Sequence, residues 1–91
     1  MNKTFNITVL EGLHARPATL LVTTVSAFES EVSITYNKKS ANLKSILGVL
    51  SLAVSPGSII EIAAEGSDAS ELLDKVTEVI ISQGIGEECS K

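Results

Sequence analysis

The chemistry that this sequence can perform is concentrated in the stretch GLHARPAT, residues 12–19. The stretch contains His14, the sole histidine of the chain, and Arg16 two residues later. A neutral imidazole has a free lone pair and acts as a nucleophile, whereas a guanidinium presents a planar fork of donors that suits phosphate oxygens. The two side chains therefore predict a site that holds a phosphoryl group on a histidine nitrogen.

Pro17 indicates that a helix begins within this stretch, because proline is well tolerated in the first turn of a helix. The apolar residues that follow recur at helical spacing: Ala18, Leu21, Val22, Val25 and Phe28. The start of a helix offers unpaired N–H groups and a positive field, which bind anions and favour a neutral imidazole. The alternative is that His14 is an ordinary surface histidine or a hydrogen-bonded core residue.

The sequence lacks the other groups that phosphoryl chemistry commonly uses. It has no Walker-type glycine loop, no acidic cluster for magnesium and no cysteine–histidine set for zinc, so we expect no metal and no cofactor. The one cysteine, Cys89, lies in a polar tail and can form no internal disulfide. A single nucleophile beside an anion site can still pass a phosphoryl group between two proteins. The residues favour a carrier over a self-sufficient enzyme.

Charge and composition exclude several other classes of function. The formal net charge is −4 and aromatic residues make up 3% of the chain, which disfavours nucleic-acid binding. Eight of the 11 acidic residues fall in residues 61–91. No apolar run is long enough to span a membrane and no secretory signal precedes the first strand pattern, so we expect a cytoplasmic protein. A chain of 91 residues predicts one domain.

Hydrophobic periodicity predicts seven elements in the order strand, helix, strand, strand, short helix, strand, helix. Asn37 to Ser40 is expected to form the polar turn of a hairpin, although Asn37-Lys38 lacks the glycine that the tightest turn prefers. Ser45 is a good N-cap for the short helix, and Asp68 with Glu71 resembles a capping box for the last one. Gly84 is expected to end that helix. The pattern predicts an α+β fold, with the helices packed on one face of an antiparallel sheet.

The stretch GLHARPAT together with NLKSILGVLSLAV, residues 42–54, resembles the histidine-containing phosphocarrier (HPr) family of the bacterial sugar phosphotransferase system. The resemblance covers essentially the whole chain. It implies one HPr domain over residues 1–91, an open-faced β-sandwich in which three helices cover one face of a four-stranded antiparallel sheet. It also implies that His14 is phosphorylated on Nδ1, that Arg16 stabilises the phosphoryl group, and that the group passes from enzyme I to IIA domains of sugar permeases.

The same resemblance implies a regulatory role for Ser45. In bacteria that have an HPr kinase/phosphorylase, this serine is phosphorylated and the product acts with a catabolite-control transcription factor. By itself the serine favours a plain N-cap, since N-cap serines are ordinary. A phosphate at a helix N-terminus is electrostatically tolerated, so both roles are compatible with the fold.

The resemblance further implies a partner-binding surface near the histidine. Its predicted contact residues are Ala15, Arg16, Thr19, Ile46, Leu47 and Leu50. A rim of cations is expected around this surface, namely Arg16, Lys38, Lys39 and Lys44. Because a carrier must visit several partners in turn, we expect a monomer.

Two alternatives remain at this point. The chain could be a regulatory protein whose output is Ser45 phosphorylation and co-repressor binding, or a carrier for a phosphotransfer chain that does not serve sugars. The stretch SLAVS, residues 51–55, is similar to a paralogue that acts only in catabolite repression and has glutamine in place of the histidine. The presence of His14 argues against that assignment.

Overall fold

The computed structural model describes residues 1–89, in which three helices pack on one face of an antiparallel sheet. The elements in chain order are β1 (Asn2–Ile7), α1 (Ala15–Ser26), β2 (Glu31–Tyr36), β3 (Lys39–Asn42), α2 (Ile46–Ser51), β4 (Ile59–Glu65), α3 (Ala69–Ser82) and β5 (Gly86–Glu88). The strands lie in the order β3-β2-β4-β1-β5, and every neighbouring pair is antiparallel. The predicted α+β class and element order are confirmed.

The predicted number of strands is wrong, because five strands form where four were expected. The added strand, β5, pairs with the outer edge of β1, and Ile7 lies opposite Gly86. Its three residues are Gly-Glu-Glu, which have no apolar alternation and low strand propensity. The free hydrogen-bonding edge of β1 therefore determines this strand, and the local sequence does not.

The core lies between the sheet and the helices and is almost purely aliphatic. Every second residue of β4 is buried, so one face of the strand contacts the helices and the other is open. Fully burying one such side chain contributes about 1.5–3 kcal/mol. The largest fully buried side chains are Phe5, Ile7, Leu21, Ile34, Leu43, Ile60, Ile62, Leu72, Ile80 and Ile85.

Two of the predicted helix ends are confirmed. Ser45 is the N-cap of α2, and its Oγ accepts a hydrogen bond of 3.0 Å from the amide of Gly48. Gly84 follows α3 with a φ of +68°, and the amide of Ile85 reaches back to the carbonyl of Ile80 at 2.9 Å. This six-to-one bond past a left-handed glycine is the Schellman arrangement, which satisfies carbonyls at the helix end.

The predicted capping box at α3 is wrong. Asp68 occupies the N-cap position, but its side chain makes no capping bond. Its carboxylate instead accepts hydrogen bonds from the hydroxyl and amide of Ser30 and from the amide of Glu29. The Ser30 hydroxyl, followed by the Glu29 amide, lowers the pKa of Asp68 below its ordinary value of 3.8. The aspartate therefore ties the start of α3 to the segment between α1 and β2.

Two contacts determine how α1 and α2 lie relative to each other. Nζ of Lys44, just before α2, donates to the Phe28 carbonyl beyond the end of α1 at 2.8 Å. The amide of Leu13, just before α1, donates to the Val54 carbonyl beyond the end of α2 at 3.1 Å. The packed helices therefore run in opposite directions. The start of α1 lies beside the end of α2.

Candidate functional site

His14 occupies the N-cap position of α1 and its side chain is exposed. Its backbone is extended, with φ −84° and ψ −163°, and the imidazole makes no capping bond to the helix. The His14 carbonyl accepts the first helical hydrogen bond, from the amide of Ala18 at 2.9 Å. The sequence prediction that the histidine stands at a helix start is confirmed. The alternative of a histidine packed in the core is excluded.

The first turn of α1 has hydrogen-bond donors that are not in use. The amides of Ala15 and Arg16 precede the first helical bond and Pro17 has no N–H, so α1 begins with two amides facing outward. No group in residues 1–89 accepts a hydrogen bond from either amide. The exposed guanidinium of Arg16 likewise forms no ion pair with the residues that the structure describes. These donors are available to an anion at His14.

The loop before His14 is held by a close backbone contact. The amide of Gly12 donates to the Val9 carbonyl at 2.9 Å, and the buried Leu13 donates to the Val54 carbonyl. Gly12 has a φ of +67°, and a Cβ at this position would clash with the carbonyl oxygen of Val54. Only glycine fits this close approach without strain. The sequence shows Gly12 only as the first residue of the GLHARPAT stretch, and its role in placing the histidine is seen only in the structure.

The predicted partner-binding residues lie on α1 and α2, which pack against each other. Ala15 and Thr19 are exposed on α1. On α2, Leu47 is 80% exposed, Ile46 is 40% exposed and Leu50 is half-buried. Because α2 runs antiparallel to α1, Leu50 lies nearer the start of α1 than Ile46 does. The two helices thus present an apolar surface that extends away from the histidine.

The predicted cations do not all lie near His14. Lys38 and Lys39 belong to the β2–β3 hairpin, and the hydroxyl of Tyr36 beside this turn accepts a bond of 3.3 Å from Ser58. Ser58 lies in the same α2–β4 connection as Val54, so the hairpin is at the His14 end of the sheet. Lys44 lies at the other end of this surface, directly before α2, where it is half-buried and bonds to the Phe28 carbonyl beyond the end of α1.

Ser45 lies at the end of α2 that is remote from His14. It is half-buried, and its hydroxyl is used to cap the helix. The neighbouring contact between Lys44 and Phe28 places Ser45 beside the C-terminal end of α1. The two residues for which the sequence suggests phosphorylation are therefore separated along the length of α1.

The described residues contain no group of three or more His, Cys, Asp or Glu side chains that could hold a metal ion. None of the helices in residues 1–89 has the length and apolar character needed to cross a bilayer.

Comparison with known proteins agrees with this geometry. A family model described as the PTS HPr component phosphorylation site matches residues 1–82. This chain belongs to the HPr family. HPr proteins are phosphocarriers of the phosphotransferase system, so the chain is a phosphocarrier and not a self-contained enzyme.

Solved structures of HPr proteins superpose on most of the chain. The histidine-containing phosphocarrier protein of a mycoplasma is 36% identical, with a TM-score of 0.92 over 94% of this chain and 98% of that one. HPr from Bacillus anthracis strain Ames is 41% identical, with a TM-score of 0.79 over 84% and 90%. The Bacillus subtilis catabolite repression protein Crh, solved as a domain-swapped dimer, is 36% identical, with a TM-score of 0.70 over 88% and 91%.

Proposed function

We propose that this HPr-family protein accepts a phosphoryl group from enzyme I on Nδ1 of His14 and passes it to IIA domains of sugar permeases. The observation that supports this proposal is the exposed imidazole beside two amides and a guanidinium that have no partner in residues 1–89. A neutral ring can attack phosphorus, and the three donors can bind the transferred oxygens. We also propose that the carrier works as a monomer in the cytoplasm.

The transfer exchanges one bond to phosphorus for another. The Nδ1 lone pair of His14 forms a bond to phosphorus while the bond between phosphorus and the donor breaks. The leaving electron pair stays with the donor, and the negative charge of the phosphoryl group moves to the carrier. Arg16 and the first amides of α1 stabilise that charge where it arrives. In the second transfer, a nucleophile of the acceptor forms a bond to phosphorus while the Nδ1–P bond breaks and its electron pair returns to His14.

The exposed apolar surface of α1 and α2 is well placed to dock both classes of partner. Ala15 and Thr19 contribute from α1, while Leu47, Ile46 and Leu50 contribute from α2. Exposed apolar side chains beside a reactive centre favour contact with a second protein. Enzyme I and the IIA domains would use this surface in turn, because each must bring its own reactive group to the same imidazole.

Regulation at Ser45 forms a second part of the proposal. Phosphorylation by an HPr kinase/phosphorylase would add a dianion at the N-terminus of α2, where the amide of Gly48 can still donate to it. The new charge would lie next to Ile46 and Leu47 and would change partner docking. A complex with a catabolite-control transcription factor would follow. The similarity to Crh favours this regulatory role as a second function.

The direct test is incubation of the protein with phosphoenolpyruvate, Mg²⁺ and its cognate enzyme I, followed by mass spectrometry. We expect one adduct of roughly 80 Da that is lost in acid, as phosphohistidine requires. Ser45→Ala should form the same adduct, and His14→Ala should form none. Absence of the labile adduct on the wild type, or an equal amount on His14→Ala, would contradict the proposal.

Separate assays distinguish the alternatives. If the chain is only a regulator, His14→Ala will leave sugar uptake and catabolite repression unchanged in its host. If it serves a chain unrelated to sugars, the labile phosphate will form but will not reach any sugar-specific IIA domain. The proposal requires that sugar uptake falls in His14→Ala and that loss of regulation follows Ser45→Ala.

A further inference from the structure

A charged residue, Glu11, lies in the segment between β1 and α1 that leads to His14. Glu11 lies three residues before His14, is exposed, and forms no ion pair with any residue in the described range 1–89. Carboxylates near a site that receives a phosphoryl group oppose the arriving charge, so such a residue affects the energetics of the site.

Hydrogen bonds hold the backbone around Glu11, so position 11 stays close to the histidine. The amide of Gly12 closes a turn onto the Val9 carbonyl at 2.9 Å, and the next amide, that of Leu13, bonds to Val54 at 3.1 Å. Three peptide links keep the Cα atoms of positions 11 and 14 within about 10 Å of each other. A carboxylate at position 11 is therefore within the range over which charges interact at low ionic strength, where the Debye length is about 30 Å.

We infer that Glu11 raises the phosphoryl-transfer potential of the carrier. The inference rests on the proposed phosphorylation of His14. When the Nδ1–P bond forms and the bond to the donor breaks, about two negative charges arrive on the carrier. Arg16 attracts those charges and Glu11 repels them. Repulsion in the phosphorylated state makes the group easier to give to an acceptor and harder to accept from a donor.

This opposition suits a relay. A site with donors alone would hold the phosphoryl group too firmly to release it, because stabilisation of the product state slows onward transfer. A neighbouring carboxylate offsets part of that stabilisation through its charge. Glu11 is thus a tuning residue, and its effect should depend on its charge and on salt and not on its shape.

The test is the equilibrium constant for phosphorylation of the carrier by phosphoenolpyruvate through enzyme I, measured at low ionic strength. We expect Glu11→Gln to increase the phosphorylated-to-free ratio about threefold and Glu11→Lys about tenfold, from Coulomb interaction at this separation. Both increases should shrink toward onefold as added salt screens the charges. Glu29→Gln, which removes an exposed carboxylate beyond the other end of α1, is the matched control and should leave the ratio unchanged.

The outcomes separate this inference from the proposed function. A wild type that takes up no labile phosphate contradicts the proposed function itself. A wild type that is phosphorylated on His14 with the same equilibrium constant as both Glu11 variants overturns only the role of Glu11. An equal change in Glu29→Gln also overturns it, because the effect would then follow net charge and not position.

Discussion

The polar groups near the two ends of α1 differ in whether they have hydrogen-bond partners. At its start, the amides of Ala15 and Arg16 and the Arg16 guanidinium lack partners in the part of the chain that the structure describes. Beyond its end, the Phe28 carbonyl and the amides of Glu29 and Ser30 are all bonded by side chains. One helix thus has an end beyond which distant side chains bond the backbone, which we call the satisfied end, and an end whose first donors lack partners in the described residues.

The satisfied end depends on side chains that are distant in sequence. Lys44 bonds the carbonyl, and Asp68 bonds the two amides. Exposed amides at the other end can bind water at little cost, so leaving them unpaired does not weaken the fold much. The difference is consistent with the proposal that the groups around His14 bind a phosphoryl group, whereas those around Ser30 stabilise the fold.

The largest expected effect comes from adding a methyl group at Gly12, in the segment between β1 and α1. Gly12→Ala forces a left-handed backbone on alanine and drives its Cβ into the Val54 carbonyl, so we expect a loss of about 2–4 kcal/mol in the free energy of unfolding. Gly57→Ala is the matched control, because Gly57 also has positive φ but has open space around it. Chemical denaturation should show a loss of about 1 kcal/mol there. Equal losses would show that the contact with Val54 is unimportant.

Replacing the carboxylate at the satisfied end should change the acid stability. The pKa of Asp68 is lowered in the folded state, so its contribution to stability is present above its ordinary value of 3.8 and is lost as the pH falls through the lowered pKa. Asp68→Asn should therefore be less stable than the wild type at neutral pH, and the difference should shrink below pH 3.8. Urea denaturation at a series of pH values measures this.

Ser30→Ala provides the control for that experiment. It removes the hydroxyl that contributes most to the lowered pKa of Asp68 but keeps the two amide donors. The Asp68 pKa, followed by NMR, should move back toward its ordinary value without reaching it. A pKa unchanged by Ser30→Ala would contradict the assigned cause.

Two variants, each of which removes a cation near one end of α1, should separate effects on the phosphorylation rate from effects on stability. Arg16→Gln should leave the free energy of unfolding within about 0.5 kcal/mol of the wild type and slow phosphorylation by enzyme I about a hundredfold. Lys44→Gln should lower stability by about 0.5–1 kcal/mol, since it removes a charged donor from the C-terminal end of the helix. The rate of His14 phosphorylation should be nearly unchanged in Lys44→Gln. Reversed effects in the two variants would contradict the comparison.

The smallest expected effects come from replacing an alanine by glycine near each end of α1. Ala53, next to the His14 loop, has a φ of +54°, so Ala53→Gly should stabilise the protein by about 0.5–1 kcal/mol. Ala27, the C-cap of α1, has a φ of −77°, so Ala27→Gly should destabilise it by a similar amount, about 0.5–1 kcal/mol. Thermal unfolding should show shifts of opposite sign. Shifts of the same sign would refute the strain assigned to Ala53.

The sequence was sufficient for the elements whose packing is periodic. The alternation of Phe5 and Ile7 predicts β1, and the spacing of Leu21, Val22 and Val25 predicts α1, because those residues are buried on one face. The strand β5 could not be predicted in this way. It forms because β1 has a free edge, which is a property of the assembled sheet.

The site was predictable where it depends on local chemistry. The position of His14 at a helix start followed from Pro17, and its exposure agrees with that placement. The bond from Lys44 to the Phe28 carbonyl did not follow, since it depends on the direction of α2 relative to α1. The partner of Asp68 was also missed, because Ser30 is 38 residues away in the chain and the local pattern suggested an ordinary cap.

The most direct test of the account is the backbone amide NMR spectrum before and after phosphorylation by enzyme I. If the unused donors at the start of α1 bind the phosphoryl group, the amide protons of Ala15 and Arg16 will shift strongly downfield, while those of Glu29 and Ser30 will stay in place. Phosphorylation on His14 without a shift at Ala15 and Arg16, or with equal shifts beyond the end of α1, would contradict the account.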